Sequence, residues 1–174
     1  MTFLDPQRLV RTLATSALIA GAAIASAIPG ATAAKADRIR VVIDRVTALD
    51  NIDPAGGKAD FFARVTIGGD VFTTKAVRRD SDLKPTDWVF TKRVRRGLQQ
   101  VKIEIFDKDV LSKSDAIDIN RVGNKRDLDF TVNTRRRPCR LPDFAGAPRC
   151  GHTITRAGGE NRRARISFRV EVLR

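Results

Sequence analysis

The segment Val101–Asn120, VKIEIFDKDVLSKSDAIDIN, limits the folds open to this chain more than any other. Val101, Ile103 and Ile105 alternate with Lys102 and Glu104, the period of two that belongs to a strand with one buried face. The strand runs directly into Asp107, Asp109, Asp115 and Asp118, with no Cys or His among them. Four like charges so close repel one another, so the loop must either stay solvated or be neutralised by something else. All-oxygen ligation suits a hard cation such as Ca2+. On these residues alone a cation site and a solvated acidic loop both stay open.

The same alternation recurs along the chain. Arg38–Val46 puts Ile39, Val41 and Ile43 on one face and Arg38, Arg40 and Asp44 on the other, and Phe61–Ile67 (FFARVTI) follows after a loop containing Asp50, Asp53 and Asp60. Gly68-Gly69-Asp70 is a hairpin signal leading into Val71–Val77. Asp80–Asp87 is polar, carries Pro85 and is expected to be a loop, and Trp88–Val94 then sets Trp88 and Phe90 toward a core. Lys125–Asn133 and Arg165–Leu173 supply the last clear alternating runs. Thr134–Gly159 shows no periodicity. No sustained amphipathic helical pattern occurs after residue 33, so seven or eight short strands with turn signals between them predict an antiparallel β-sandwich.

The N-terminus is expected to lie outside this fold. Arg8 and Arg11 precede the apolar run Leu13–Ile28, which ends at Pro29-Gly30 and the small-residue segment Ala31-Thr32-Ala33. That is the layout of a secretory signal peptide cut after Ala33, leaving residues 34–174 as a single domain. The formal charge of +13 becomes +12 once Arg8, Arg11 and Asp5 are gone. Such a balance favours anionic surfaces, and an exported address (periplasm, cell wall or medium) favours phospholipid and envelope polyanions over nucleic acid. Cys139 and Cys150 are the only cysteines, and an even count at short spacing in an exported chain predicts a disulfide within an insertion near residues 134–159. The sole histidine, His152, cannot complete a zinc site with them.

IRVVIDRVTALDNIDPAGGKADFFARVTI resembles the opening of a C2 domain, the calcium-dependent phospholipid-binding β-sandwich. Ile39, Val41, Ile43, Val46 and Leu49 fit its alternating positions, Asp53 its loop aspartate, Gly56 its turn glycine and Asp60 the aspartate of its S-D-P-Y-V-like segment. Asp107, Asp109 and Asp115 reproduce the family's D-x-D-x5-D spacing, and KPTDWVF resembles its N-P-x-W-x-x-x-F stretch. The resemblance covers residues 38 to 133 and the final strand by order, and it implies an all-β, eight-stranded antiparallel sandwich. It departs in a first acidic loop one residue longer than usual, which leaves Asp50 competing with Asp53, and in Ala59 and Phe61 where Ser and Pro are usual. Asp118 stands where a variable acidic residue follows the third ligand.

The resemblance implies Ca2+ held by Asp53, Asp60, Asp107, Asp109 and Asp115, with Asp50 and Asp118 as further candidates. Five carboxylates exceed the charge of one such ion, and bound metal would turn the local potential from repelling to attracting an anionic surface. Val110 and Leu111 are the candidate membrane-inserting loop tips. Lys75, Arg78, Arg79, Lys92, Arg93, Arg95 and Arg96 form a candidate face for a lipid headgroup or polyanion, or a solvated edge that resists strand pairing. No enzyme is expected: neither cysteine sits in a nucleophile context, and no Ser with a base and no phosphate-cradling glycine loop occurs. The expected function is an exported calcium-binding module that attaches to an anionic surface, most naturally phospholipid. The alternative is an extracellular interaction or structural protein of the same fold, with calcium structural or absent and its basic face on a polyanion or protein partner.

Overall fold

Ten strands form in a computed structural model that describes residues 36–52, 57–78, 80–109 and 114–174. They are β1 (Ala36–Ala48), β2 (Phe61–Ile67), β3 (Asp70–Thr73), β4 (Asp82–Leu83), β5 (Val89–Arg95), β6 (Leu98–Asp107), β7 (Asp115–Ile117), β8 (Leu128–Asn133), β9 (Ile154–Ala157) and β10 (Ala164–Leu173). The expectations for the leader, Asp53, Arg79, Val110 and Leu111 fall outside the described residues. Among those residues no helix is long and apolar enough to cross a membrane.

The strands form two five-stranded antiparallel sheets. In the first, β10 pairs with one edge of β1 and β9 lies beyond it, while β5 and β4 pair with the rest of β1. In the second, β3 pairs with β2, β2 with β6, and β6 with both β7 and β8. Period-two burial puts Ile39, Val41 and Ile43 of β1 and Phe168 of the neighbouring β10 on the inner face of one sheet, and Ala63, Val65 and Ile103 on the inner face of the other, all fully buried. A register shift between Ile43 and Arg45 moves β1 by one residue, so that Val46 still faces inward. Gly68 and Gly69 have φ of 55° and 92°, the left-handed pair that a two-residue hairpin needs to match strand twist.

Three strands arise where no alternation predicts one. β4 lies in the expected 80–87 loop and consists of two residues, held by Arg45 and Thr47 hydrogen bonds to Asp82. β7 begins inside the acidic loop, and β9 in the unpatterned region. Elements of two to four residues are too short to display a period. The third strand is shorter than Val71–Val77, ending at Thr73, and Val77 keeps only an isolated bridge to Phe61. Trp88 precedes β5 and is 1% exposed, as expected of a core residue.

The Cys139–Cys150 disulfide forms, with Cα atoms 5.3 Å apart. Its loop inserts Leu141, fully buried, and Phe144, whose ring centroid lies 5.0 Å from Phe130 and 5.8 Å from Phe168. Asp143 of the same loop accepts the Thr131 amide at 2.7 Å, covering part of the free edge of β8.

Candidate functional site

Antiparallel pairing gathers the acidic residues at one end of the sandwich. Phe61 is opposite Asp107 and Asp107 is opposite Asp115, so β2, β6 and β7 bring Asp60, Asp107 and Asp115 to a common edge. Asp107 occupies an inward-facing position of β6 and is 5% exposed, and its Oδ1 accepts the Asp60 amide at 2.6 Å. The Lys108 amide donates to the Asp60 carbonyl at 3.0 Å, carrying the β2–β6 ladder one step past its last paired residues. Asp109 stands half-buried two residues beyond Asp107.

The turn between β9 and β10 closes over this end. Arg163 grips Asp50 through its side chain (Nη2 to Oδ1 2.7 Å) and its backbone amide (2.8 Å), and the Leu49 amide bonds to the Arg163 carbonyl at 2.8 Å. The Arg163 hydrogen bonds hold the Asp50 carboxyl below the usual carboxylate range. Arg162, in a left-handed conformation at φ 58°, forms an ion pair with Asp115. Asp118 is 1% exposed, and its carboxylate accepts amides from Asn120 (2.9 Å), Gly159 (2.9 Å) and Glu160 (2.7 Å). Gly158 is required there, because a Cβ on it would sit 2.2 Å from the Asp118 carbonyl oxygen.

The donor types suit a hard cation, being carboxylates and carbonyls without nitrogen or sulfur. Among the described residues, however, no three acidic, His or Cys side chains are gathered closely enough to hold a metal ion. Asp118 spends its lone pairs on backbone amides, and Asp50 is held by both the side chain and the amide of Arg163. Residue type and place make Asp60, Asp107, Asp109 and Asp115 the ligand candidates, and a cation at Asp115 would have to displace Arg162. Arg162 and Arg163 carried no assignable role in the sequence; only their place after the Gly158-Gly159 turn marks them.

The basic residues divide into two groups. β3 and β5 are edges of different sheets, meeting across the side of the sandwich through a Lys92–Asp70 ion pair and the Phe72–Phe90 rings at 6.3 Å. Lys75 and Arg78 lie at the acidic end, where the Val77 amide bonds to the Phe61 carbonyl, and with Lys108 and Asp60 they line a cavity of about 540 Å3. Arg93 and Arg95 are exposed farther along β5, with Arg95 opposite Ala36 near the other end. Arg96 places its Nε 3.8 Å from the buried Asp37 carboxylate. Arg93 sits directly across from Arg38, a like-charged cross-strand pair.

No known protein-family profile matches the sequence, and no curated relative matches it. Solved structures do. One is human GIVD cytosolic phospholipase A2 in complex with methyl gamma-linolenyl fluorophosphonate, at 10% identity and a TM-score of 0.53, over 80% of this chain and 17% of that one. The chain therefore spans under a fifth of that phospholipase. A structure of a C2 domain matches at 12% identity and TM-score 0.53, over 79% of this chain and 99% of the other. A C2 domain of plant extended synaptotagmin 1 matches at 14% identity and TM-score 0.54, over 78% and 93%. The strand order, the paired acidic loops at one end and these likenesses agree: the chain has the fold of a C2 domain.

Proposed function

We propose that the protein is an exported, non-catalytic module that attaches to an anionic surface, phospholipid first, with calcium neutralising its acidic end. The observation that carries this reading is the strand register that brings Asp60, Asp107 and Asp115 to one edge, with Asp109 just beyond. Asp53 completes the proposed ligand set from the first acidic loop. When bound, the ion supplies positive charge and open coordination positions for an anionic oxygen. The chain's own residues hold the acidic loops together: Asp107 fixes the Asp60 amide, and the Arg163–Asp50 contacts tie β1 to the turn before β10. Lys75, Arg78 and Lys108 flank the same end and suit phosphate oxygens.

A second reading is favoured by the Arg162–Asp115 and Arg163–Asp50 pairs, which neutralise part of the acidic end from within. On that reading calcium is structural or absent, and Arg93, Arg95 and their neighbours hold a polyanion or protein partner. Calorimetric calcium titration of residues 34–174, with Asp107→Asn/Asp109→Asn as control, separates the two. The first reading expects calcium binding in the wild type and none in the double variant, together with chelator-sensitive sedimentation on phosphatidylserine vesicles. No heat at millimolar calcium, with vesicle binding that ignores chelator and falls steeply with salt, selects the second.

A further inference from the structure

The disulfide-bearing segment has no counterpart in the C2 resemblance, and its residues 134–150 take no part in the contacts described at the acidic end. It forms one wall of a cavity of about 450 Å3, within the range of small-molecule sites. The other wall is the outward face of β6 and β8, where Leu98 lies opposite Asn133 and Thr131 is the next outward residue along β8. Leu98 and Asp107 are the two ends of β6, about 30 Å apart at the rise of a strand, so this cavity is remote from the acidic loops.

Its lining has an unusual chemistry for this molecule. Arg136 and Arg140 contribute the only charges, with no carboxylate among the lining residues. Four other cavities each include at least one: Asp60; Glu104 and Asp115; Asp129 and Asp143; Glu104 and Asp127. Asp143, the acid nearest in sequence, accepts the Thr131 amide and lines a different cavity. Arg140 is oriented by a 3.0 Å hydrogen bond from its Nη1 to the Ala147 carbonyl, which leaves its remaining donors available. Beside the arginines the lining holds the polar Thr131 and Asn133 and the apolar Leu98, Pro142 and Ala147; Leu98 is 69% exposed, the second most exposed large hydrophobic residue among those described. A lining with two cations at one side and exposed apolar carbon at the other suits a ligand with one end of each kind.

We propose that this cavity binds an amphiphilic phosphate, a phosphate monoester carrying a short apolar chain. Two guanidinium groups give charge-assisted, bidentate bonds to a tetrahedral oxyanion, and the Asn133 side-chain amide adds a neutral donor, while the Thr131 hydroxyl donates to the Gln100 side-chain carbonyl. Leu98 and Pro142 take the chain. The site stands independently of calcium and of the reading given above for the acidic end.

Octyl phosphate, below its micelle concentration, is the probe, with inorganic phosphate and octanol as its two halves. Calorimetry on residues 34–174 should show octyl phosphate binding at least about tenfold more tightly than either half. Arg136→Gln/Arg140→Gln should weaken it by about tenfold or more, and Leu98→Ser should weaken octyl phosphate but not inorganic phosphate. Calcium and chelator should change none of these values. Without any variant, the Leu98 methyl resonances should shift on titration. The proposal is overturned if octyl phosphate does not bind, if it binds the double variant as it binds the wild type, or if the Leu98 methyls stay still. Binding to phosphatidic acid vesicles with none to octyl phosphate overturns it as well.

Discussion

The acidic end and the disulfide-bearing segment are both irregular chain attached to a regular sandwich, yet opposite forces hold them in place. The acidic end is fixed by charge and hydrogen bonding: Arg163 on Asp50, Arg162 on Asp115, and three backbone amides on the Asp118 carboxylate. The 134–150 segment is fixed by apolar anchors and a covalent link, with Leu141 and Phe144 in the core and the Cys139–Cys150 bridge at its base. Carboxylates cannot be carried into a core unpaired, so ion pairs and amide donors position the acidic end. The other segment offers apolar side chains that the core takes in.

The sharpest way to break this contrast is Phe144→Ala. The side chain is 6% exposed and touches the rings of Phe130 and Phe168 from opposite sheets, so truncation leaves a cavity between the sheets. A loss of about 3 to 5 kcal/mol in denaturant unfolding is expected. A loss under about 1 kcal/mol would mean that the segment merely rests on the sandwich.

Next in size is the bridge. Cys139→Ser/Cys150→Ser opens a loop of sequence separation 11, and the chain-entropy account predicts a loss of about 3 kcal/mol. Because Leu141 and Phe144 still anchor the segment, the effect should appear mainly as lower hydrogen-exchange protection in residues 139–150, with the β1–β10 amides keeping their order of protection. Equal loss of protection in both places would show the segment to be part of the core's cooperative unit.

At the acidic end, Asp118→Ala strips a carboxylate acceptor from three amides at once, of which Gly159 keeps a 3.3 Å bond to the Asn120 carbonyl. We expect a loss of about 2 kcal/mol, with the Glu160 amide becoming fast-exchanging. Should exchange at that amide stay slow, the turn is held by its backbone bonds and arginine pairs and the carboxylate is dispensable.

Much of the sandwich is legible in the sequence because its long strands carry the period of two. Ile39, Val41 and Ile43, or Ile166, Phe168 and Val170, announce their inward face directly. β4, β7 and β9 are not legible, since elements of two to four residues have no period and exist only through partners distant in sequence, such as Arg45 with Asp82. Phe144 is invisible for the same reason: a lone aromatic between Pro142 and Gly146 carries no pattern, and its burial is decided by Phe130 and Phe168. The acidic spacing Asp107, Asp109, Asp115 is legible as a cluster, but the arginines against it are not. Arg162 and Arg163 lie far along the chain from Asp115 and Asp50, and only the closure of β10 against β1 brings them together.

The smallest expected effect concerns acid pH, and it bears on the polar end alone. Asp50 is held below the usual carboxylate range chiefly by the Arg163 side chain, and Asp82 is depressed chiefly by its hydrogen bond from Arg45 and then by that from Thr47. In the unfolded chain both return to an ordinary value of about 4. Above that value both states carry the charge and the contribution to stability is complete. As pH falls below it the unfolded chain takes up protons first, so stability declines until the native carboxyls are protonated too. Both side chains are partly exposed, at 26% for Asp50 and 42% for Asp82, so water and salt screen much of the effect. Thermal melts from about pH 5 to pH 2 should therefore show a shallow decline in Tm that is flatter in Asp50→Asn and flatter again in Asp50→Asn/Asp82→Asn. Arg163→Gln should flatten the curve as Asp50→Asn does, and combining the two should add little, because both remove one interaction. Phe144→Ala should lower the whole curve without changing its slope. If the asparagine variants instead keep the wild-type slope, other carboxylates govern the acid response, and the arginine turn does not fix the acidic end through charge.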